Sequence, residues 1–130
     1  MTEVLVLDAS AMVMILLGGE AAERIGRRLR GSAVHVPAHF DAEVLSAFGR
    51  LNRAGELGTW DVSRRLDTLA AAPFERHAVG PLLASAWSRR DNVRLVDALY
   101  IALAEELSVP IITLDRGLAS AAPSAELLEV

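Results

Sequence analysis

The chain has 130 residues, 52% of them hydrophobic and 23% charged, with a formal net charge of −4. This composition excludes a disordered chain, and the length predicts a single domain over residues 1–130. No cysteine is present, which excludes disulfides and thiolate metal sites and fits the cytoplasm, where we expect the protein to act. The apolar stretches are too short to span a membrane, and the N-terminus lacks the basic segment of a signal peptide, so no membrane association is expected.

The first predicted strand is the apolar run VLVL at residues 4–7, which ends at Asp8. Apolar residues without polar alternation are typical of a strand buried on both faces, as in a parallel sheet. In such sheets, ligands bind beyond the carboxyl ends of the strands, and this is where Asp8 lies. Residues 9–17 then predict a helix with almost no polar side, which must be buried or covered by a partner.

The rest of the chain alternates between strand and helix patterns, which predicts an α/β fold with a mostly parallel sheet. Predicted strands cover residues 33–36, 74–79, 109–114 and 127–130, and predicted helices cover residues 20–30, 38–53, 60–71, 81–90, 95–107 and 116–121. Pro37 is expected to open the helix at 38–53, and Thr59 to cap the helix at 60–71. We interpret the arginines of the helix at 20–30 as a solvated face in preference to a phosphate-binding surface, because Glu20 and Arg24 are spaced to pair.

Four carboxylates are candidates for a functional site. Asp8 and Asp115 each follow an apolar strand, and therefore belong to the same edge of a parallel sheet. Asp97 lies in a nearly all-apolar helix, and Glu43 lies beside the apolar stripe of another. Taken singly, each acid could have a structural role instead of a functional one. Asp8 and Asp115 could be plain helix caps. Asp97 could complement a helix dipole, and Glu43 could be a rim carboxylate.

Taken together, these acids indicate a metal site. An ionised carboxylate in an apolar helix is costly without a cation, and the chain contains no lysine, since all thirteen basic residues are arginine. Ligands that are all oxygen favour a hard cation, Mg²⁺ or Mn²⁺. Such an ion can activate a water molecule and neutralise a phosphate oxygen, which suits the hydrolysis of a phosphodiester.

Four segments, in order, resemble the motifs of a known family. They are VLVLDASA with Asp8, HFDAEVLSAF with Glu43, RLVDALYIALAEEL with Asp97, and IITLDRGLA with Asp115 and Thr113. The chain resembles a PIN domain over essentially its whole length. In particular, it resembles the VapC-type ribonuclease toxins of bacterial toxin–antitoxin pairs.

The resemblance implies a three-layer α/β/α sandwich around a mostly parallel sheet, with the acids gathered in one pocket. It implies a Mg²⁺- or Mn²⁺-dependent endoribonuclease that acts on RNA and is inhibited by a cognate antitoxin, a protein that blocks the pocket, often with a basic side chain. A homodimer is also expected. The helix at residues 9–17, with Met12 and Met14, is a candidate docking place for a partner.

The site roles follow from the same resemblance. Asp8 and Asp97 are expected to be the central metal ligands, with Asp115 and Glu43 completing the coordination directly or through water. Ser10 and Thr113 are expected to hydrogen-bond to these ligands. Asp41 is an alternative to Glu43, which is favoured by its helical face and its match to the motif. His39 lies one turn before Glu43 and could face the pocket, although a structural or surface role is favoured.

Three other classes of protein share some of these features. A phosphotransfer receiver domain needs a lysine near its acceptor aspartate, and the chain has none. An aspartate-nucleophile phosphatase typically carries D-x-D after its first strand, whereas Asp8 is followed by Ala9 and Ser10. The remaining alternative is a catalytically inactive PIN-like module that binds RNA or a protein partner, and metal-dependent cleavage separates it from the enzyme.

Overall fold

A single sheet of five parallel strands organises the computed structural model, which describes residues 2–130. The strands are β1 (Val4–Leu7), β2 (Ala33–Pro37), β3 (Glu75–His77), β4 (Ile111–Thr113) and β5 (Ala125–Leu127). Their order in the sheet is β3-β2-β1-β4-β5. The chain therefore builds outward from β1 in one direction and later returns to add β4 on its other side. This reversal leaves a crevice between the carboxyl ends of β1 and β4, the usual ligand position in such sheets.

Helices connect the strands and cover both faces of the sheet. They are α1 (Ala9–Leu17), α2 (Glu20–Leu29), α3 (Phe40–Arg53), α4 (Thr59–Ala71), α5 (Leu83–Trp87), α6 (Leu95–Leu107) and α7 (Arg116–Ala121), with a 3₁₀ turn at Gly80–Leu82. Helices α1 to α4 pack against one another, whereas α6 packs with α5 and against β1 and β2. Leu5, Val6 and Leu7 are all completely buried, which requires both faces of β1 to be covered because successive side chains point to opposite faces. The predicted α/β sandwich with a parallel sheet is confirmed.

The apolar helix α6 lies in the core, as its sequence predicts. Every residue from 98 to 104 is buried, so this helix has almost no solvated side over two turns. Ser108, with φ 57°, ends it in a left-handed conformation. Within residues 2–130, no helix combines the length and the apolar character that crossing a membrane would require.

The start of α3 differs from the prediction. Pro37 does not open the helix but ends β2, where it pairs in register with His77 of β3. The next residue extends this pairing, because the amide of Ala38 donates to the His77 carbonyl at 2.7 Å. The helix therefore begins only at Phe40, after a turn at residues 38–39. The end of a strand tolerates a proline well, because the N–H that proline lacks is not needed there.

Other boundaries also shift. Thr59 is the first residue of α4 rather than its cap, since Gly58 occupies the cap position and the Thr59 hydroxyl accepts from Asn52 at 3.3 Å. The segment predicted as a helix at 81–90 is shorter and begins as a 3₁₀ turn. The final strand covers Ala125–Leu127 rather than residues 127–130, and the predicted strands at 74–79 and 109–114 are each reduced to three residues.

The surface of α1 and α2 also differs in part from expectation. Met12 is buried, with 3% of its surface exposed, whereas Met14 is half-buried, so of the two methionines Met14 keeps the surface that a partner could contact. Arg24 pairs with Glu20 at 3.6 Å, as predicted. Arg28, by contrast, does not belong to a solvated face, because its guanidinium bridges the carboxylates of Glu3 and Glu126. This bridge fastens α2 to the chain before β1 and to β5.

Candidate active site

An acidic pocket of about 180 Å³ lies at the crevice between β1 and β4. Its lining comprises Asp8, Ala9, Ser10, Val13, Glu43, Ala47, Arg50, Arg94, Asp97, Tyr100 and Asp115. The four carboxylates predicted from the sequence are all among these residues. They reach the pocket from four different segments, since Asp8 follows β1, Glu43 lies in α3, Asp97 lies in α6 and Asp115 follows β4.

Asp8 is the most deeply placed of these acids, with 5% of its surface exposed. It caps α1, with Oδ1 accepting from the Ala11 amide at 3.2 Å and from the Ser10 hydroxyl at 2.7 Å. Its other oxygen, Oδ2, accepts from the Thr113 hydroxyl at 2.6 Å. Burial raises the pKa of Asp8, the hydrogen bonds from Thr113, Ser10 and Ala11 oppose that rise, and the nearby charge of Asp115 adds to it. No cationic side chain pairs with Asp8 in residues 2–130.

A hydrogen-bond network joins Asp8 to the end of β4. The Thr113 hydroxyl donates to Asp8 and in turn accepts from the Asp115 amide at 2.9 Å. The Ser10 hydroxyl likewise donates to Asp8 and accepts from the Leu114 amide at 3.4 Å. Both hydroxyl residues therefore contact a predicted metal ligand, as the resemblance implies. Asp115 itself caps α7, because its Oδ1 accepts from the amides of Gly117 and Leu118 at 2.8 and 3.1 Å.

Asp97 forms an ion pair at the mouth of the pocket. The Arg94 guanidinium donates from Nε to Asp97 Oδ2 at 3.0 Å and from Nη2 to Oδ1 at 3.4 Å. The two side chains differ in exposure, with 73% of the Arg94 side chain but only 13% of the Asp97 side chain accessible to solvent. The pKa of Arg94 is raised, first by this hydrogen bond and then by the charge of Asp97, with smaller contributions from Glu43 and Asp115.

Glu43 is held by an aromatic residue of α6. The Tyr100 hydroxyl donates to Glu43 Oε1 at 2.6 Å, and burial together with this carboxylate raises the pKa of Tyr100. His39 does not line the pocket but packs behind it, with its ring centroid 4.9 Å from that of Tyr100. Its Nε2 donates to the Val96 carbonyl at 2.8 Å and lies 3.4 Å from Glu43 Oε1. The favoured structural role of His39 therefore agrees with its position.

Asp41, the alternative to Glu43, lies elsewhere. Its two oxygens accept from Arg76 at 2.7 and 3.1 Å, and it is not among the residues of the acidic pocket. Arg76 also donates to the carbonyls of Leu69 and Ala72, so Asp41 belongs to a structural pair that fastens α3 to the end of α4.

The donor set of the pocket fits a hard divalent cation, although the side chains do not yet surround one. Within residues 2–130, no three acidic or histidine side chains stand close enough together to coordinate a common ion. One of these carboxylates already has a cationic partner, since Asp97 pairs with Arg94. All the candidate ligands are carboxylate oxygens, the donors that Mg²⁺ and Mn²⁺ prefer. Asp8 in particular is a buried carboxylate whose ionised form needs a counter-charge.

Three polar side chains of this pocket were not predicted from the sequence: Arg50, Arg94 and Tyr100. Helical spacing could have found Arg50, because it lies seven residues after Glu43 with Ala47 between them on the same face of α3. Arg94 and Tyr100 lie three residues before and after Asp97, which is also helical spacing. Whether these two side chains point toward the pocket depends on how α6 packs, and the sequence pattern does not predict that packing.

Comparison with known proteins identifies the class. The family model described as PIN domain matches residues 5–123. The chain belongs to the PIN domain family.

Within that family, the chain is 49% identical over 127 residues to ribonuclease VapC3 of Mycobacterium tuberculosis, covering 97% of this chain and 93% of that protein. This agrees with the VapC-type motifs in the sequence. Among solved structures, the fold is similar to PAE2754 from Pyrobaculum aerophilum, with a TM-score of 0.71, 24% identity and coverage of 95% of this chain and 82% of that one. It is also similar to a chain in a toxin–antitoxin complex from Klebsiella pneumoniae, with a TM-score of 0.70, 14% identity and coverage of 97% and 99%.

Proposed function

We propose that the chain is an endoribonuclease toxin of the VapC type, which hydrolyses RNA phosphodiester bonds at the acidic pocket and acts in the cytoplasm as one domain over residues 1–130. The observation that carries this proposal is the convergence of Asp8, Glu43, Asp97 and Asp115, from four segments of the chain, on one pocket. The 49% identity to a protein named as a ribonuclease, over nearly the whole length of both chains, supports the same activity.

A divalent cation, Mg²⁺ or Mn²⁺, is part of this proposal. Asp8 and Asp97 would hold it, with Asp115 and Glu43 completing the coordination directly or through water. When bound, the ion supplies an activated water molecule and positive charge for a phosphate oxygen. The buried position of Asp8, without a cationic side chain beside it, favours this assignment.

The residues around these acids would hold them in place for the reaction. Thr113 and Ser10 fix both oxygens of Asp8 by hydrogen bonds of 2.6 and 2.7 Å, which orients the carboxylate and favours its ionised form. Tyr100 holds Glu43 through the hydrogen bond of 2.6 Å from its hydroxyl. Partners of this kind orient metal ligands and tune their affinity for the ion.

A cognate antitoxin is the expected protein partner, and a chain of similar fold is part of a toxin–antitoxin complex. The groove between α1 and α4 offers a docking place for it. Ile15 and Leu17 contribute apolar surface to this groove, and Arg64 and Arg65 contribute charge. The end of α1 is thus the part of this helix that offers a partner the most surface.

A homodimer is the second expected assembly. An apolar surface formed by Leu83, Trp87, Leu95 and Val96 lies where α5 meets the start of α6, and each of these side chains is more than two-fifths exposed. We expect two copies of the chain to pack through this surface. Light scattering coupled to size-exclusion chromatography would then give twice the chain mass for the wild type and the chain mass for Trp87→Glu, whereas an equal mass for both would contradict this assignment of the interface.

Cleavage of RNA by the purified chain tests the proposed function. We expect cleavage with Mg²⁺ or Mn²⁺, none with EDTA, and none by Asp97→Asn. Asp91→Asn is the matched control, because it makes the same charge change at an exposed position six residues away, outside the pocket. Equal cleavage by wild type and Asp97→Asn would place the activity elsewhere. No cleavage of any RNA by the folded, metal-loaded chain would instead favour the inactive binding module.

A further inference from the structure

The acidic pocket also holds two basic side chains, Arg50 and Arg94. Arg50 extends from α3 and donates from Nη1 to the Ser46 hydroxyl at 3.0 Å. It forms no ion pair with a carboxylate in residues 2–130, so its charge is not neutralised by a direct contact. A cation that faces an acidic pocket without a carboxylate partner is available to an anionic ligand.

Arg94 lies at the mouth of the same pocket. Its backbone precedes α6, where its carbonyl accepts from the amides of Asp97 and Ala98 at 3.0 and 2.9 Å. This fixes the backbone at the start of the helix, whereas 73% of the side chain is exposed. The guanidinium covers Asp97 by two hydrogen bonds.

We propose that Arg94 exchanges partners, pairing with Asp97 in the metal-free chain and binding a phosphate of the RNA backbone once Asp97 binds a cation, with Arg50 as the second phosphate contact. This inference deepens the proposed function and rests on it, because RNA supplies the phosphate and a divalent cation supplies the new partner of Asp97.

Three properties of Arg94 support this exchange. The ion pair joins residues three apart, and its arginine is exposed to solvent, so Arg94 can leave Asp97 at a cost that a cation bound to Asp97 offsets. In addition, 73% of the Arg94 side chain is exposed, so the guanidinium can turn from Asp97 toward a ligand at the mouth of the pocket. Finally, the planar guanidinium matches two phosphate oxygens as well as it matches the two carboxylate oxygens that it now contacts.

The two steps of the exchange have opposite consequences for Arg94→Ala. Removing the side chain frees Asp97, so the variant should bind Mn²⁺ about two- to fivefold more tightly than the wild type, which is the range expected for loss of an ion pair whose arginine is exposed. Calorimetric titration of the RNA-free protein with Mn²⁺ measures this without reference to activity. Removing the side chain also deletes a phosphate contact, so KM for an RNA oligonucleotide should rise about tenfold while kcat changes less than threefold.

Two further variants sharpen the assignment. Arg50→Ala should raise KM in the same way but leave the Mn²⁺ affinity unchanged, because Arg50 pairs with no candidate ligand. Arg94→Lys retains the charge without the planar guanidinium, so we expect a Mn²⁺ affinity near that of the wild type and an intermediate KM. Arg90→Ala is the matched control, since Arg90 stacks over Trp87 outside the pocket, and it should change neither quantity.

The outcomes separate this inference from the function on which it rests. A wild type that binds no Mn²⁺ would overturn both. A wild type that binds Mn²⁺, beside an Arg94→Ala variant of equal or weaker affinity, would overturn only the exchange. An unchanged KM in Arg94→Ala would also overturn it, because the phosphate contact would then be absent. Tighter Mn²⁺ binding together with a higher KM is the result that supports it.

Discussion

The Thr113 hydroxyl donates to Asp8 Oδ2 across 2.6 Å and so joins the end of β4 to the end of β1. The two residues are 105 positions apart in the chain, yet both are buried at the crevice between β1 and β4, where the strand order reverses. The same hydroxyl accepts from the Asp115 amide, so one side chain orients two acids of the pocket. The parallel pairing of β1 with β4 makes this possible, since it brings both carboxyl ends to one edge.

Replacing Thr113 with valine should therefore weaken the fold as well as the site. The change keeps the shape and the β-branch but removes the hydrogen bonds to Asp8 and from the Asp115 amide, leaving buried polar groups without a partner. We expect a loss of about 1–3 kcal/mol in the free energy of unfolding, measured by urea denaturation. Ser10→Ala, at a less buried position, should cost less. A Thr113→Val variant as stable as the wild type would show that the bond contributes nothing.

Asp8 should reduce the stability of the metal-free chain at neutral pH. Burial raises its pKa in the folded state above the ordinary value of 3.8, so the folded chain binds this proton more tightly than the unfolded chain does. The contribution of Asp8 to stability is therefore largest below pH 3.8 and falls as the pH rises through the folded-state pKa.

Asp8→Asn removes this pH dependence. In EDTA, the free energy of unfolding of the variant relative to that of the wild type should be about 0.5–2 kcal/mol higher at neutral pH than at acid pH, because only the wild type loses stability as the pH rises. Urea denaturation of both proteins at pH 4 and at pH 7.5 measures the difference, which should be larger at the higher pH. A difference that is the same at both values, or larger at pH 4, would contradict the raised pKa.

Tyr100 should act on metal binding through Glu43. Tyr100→Phe removes the hydroxyl that donates to Glu43 Oε1 but retains the ring that packs against His39. We expect the Mn²⁺ affinity to fall about tenfold, the usual effect of losing a group that orients a ligand, with little change in the unfolding midpoint. Calorimetric titration measures the first and urea denaturation the second. An unchanged affinity would show that Glu43 lies outside the coordination of the ion.

A pair of variants distinguishes Glu43 from Asp41. Glu43→Gln should lower kcat/KM for RNA cleavage about tenfold to a hundredfold, because its carboxylate faces the pocket. Asp41→Asn should leave kcat/KM unchanged and instead cost about 1 kcal/mol of stability, a value reduced by the partial exposure of its pair with Arg76. The reverse pattern would show that the motif had been aligned to the wrong acid.

Local sequence patterns were sufficient where one segment decides the structure by itself. The bounds of β1, α1, α6 and α7 agree with the predicted ones, because unbroken apolar runs and the aspartates at Asp8 and Asp115 define where each begins. The same runs led to the acids of the pocket. A strand without polar alternation must be buried, and its carboxyl end then lies at the ligand edge of the sheet.

Contacts between distant segments decided what the sequence did not predict. Pro37 extends β2 because His77 of β3 offers its carbonyl to the next amide, a partner forty residues later that helix-start rules do not consider. Arg28 pairs with Glu126, which is 98 positions away, rather than with the next turn of its own helix. The pairing of Arg94 with Asp97 is local in the chain, but its position at a pocket depends on the other segments that line this pocket.

We propose that Asp8 and Asp97 jointly hold a divalent cation in the pocket at the carboxyl ends of β1 and β4. Crystals of the wild-type chain grown with Mn²⁺ test it most directly, because the ion is located by its anomalous scattering. We predict one or two anomalous peaks in this pocket, bonded to oxygens of Asp8 and Asp97, with the Arg94 guanidinium no longer in contact with Asp97. A fully Mn²⁺-loaded crystal with no peak there, or with its peak bonded to other residues, would show that Asp8 and Asp97 do not hold the ion.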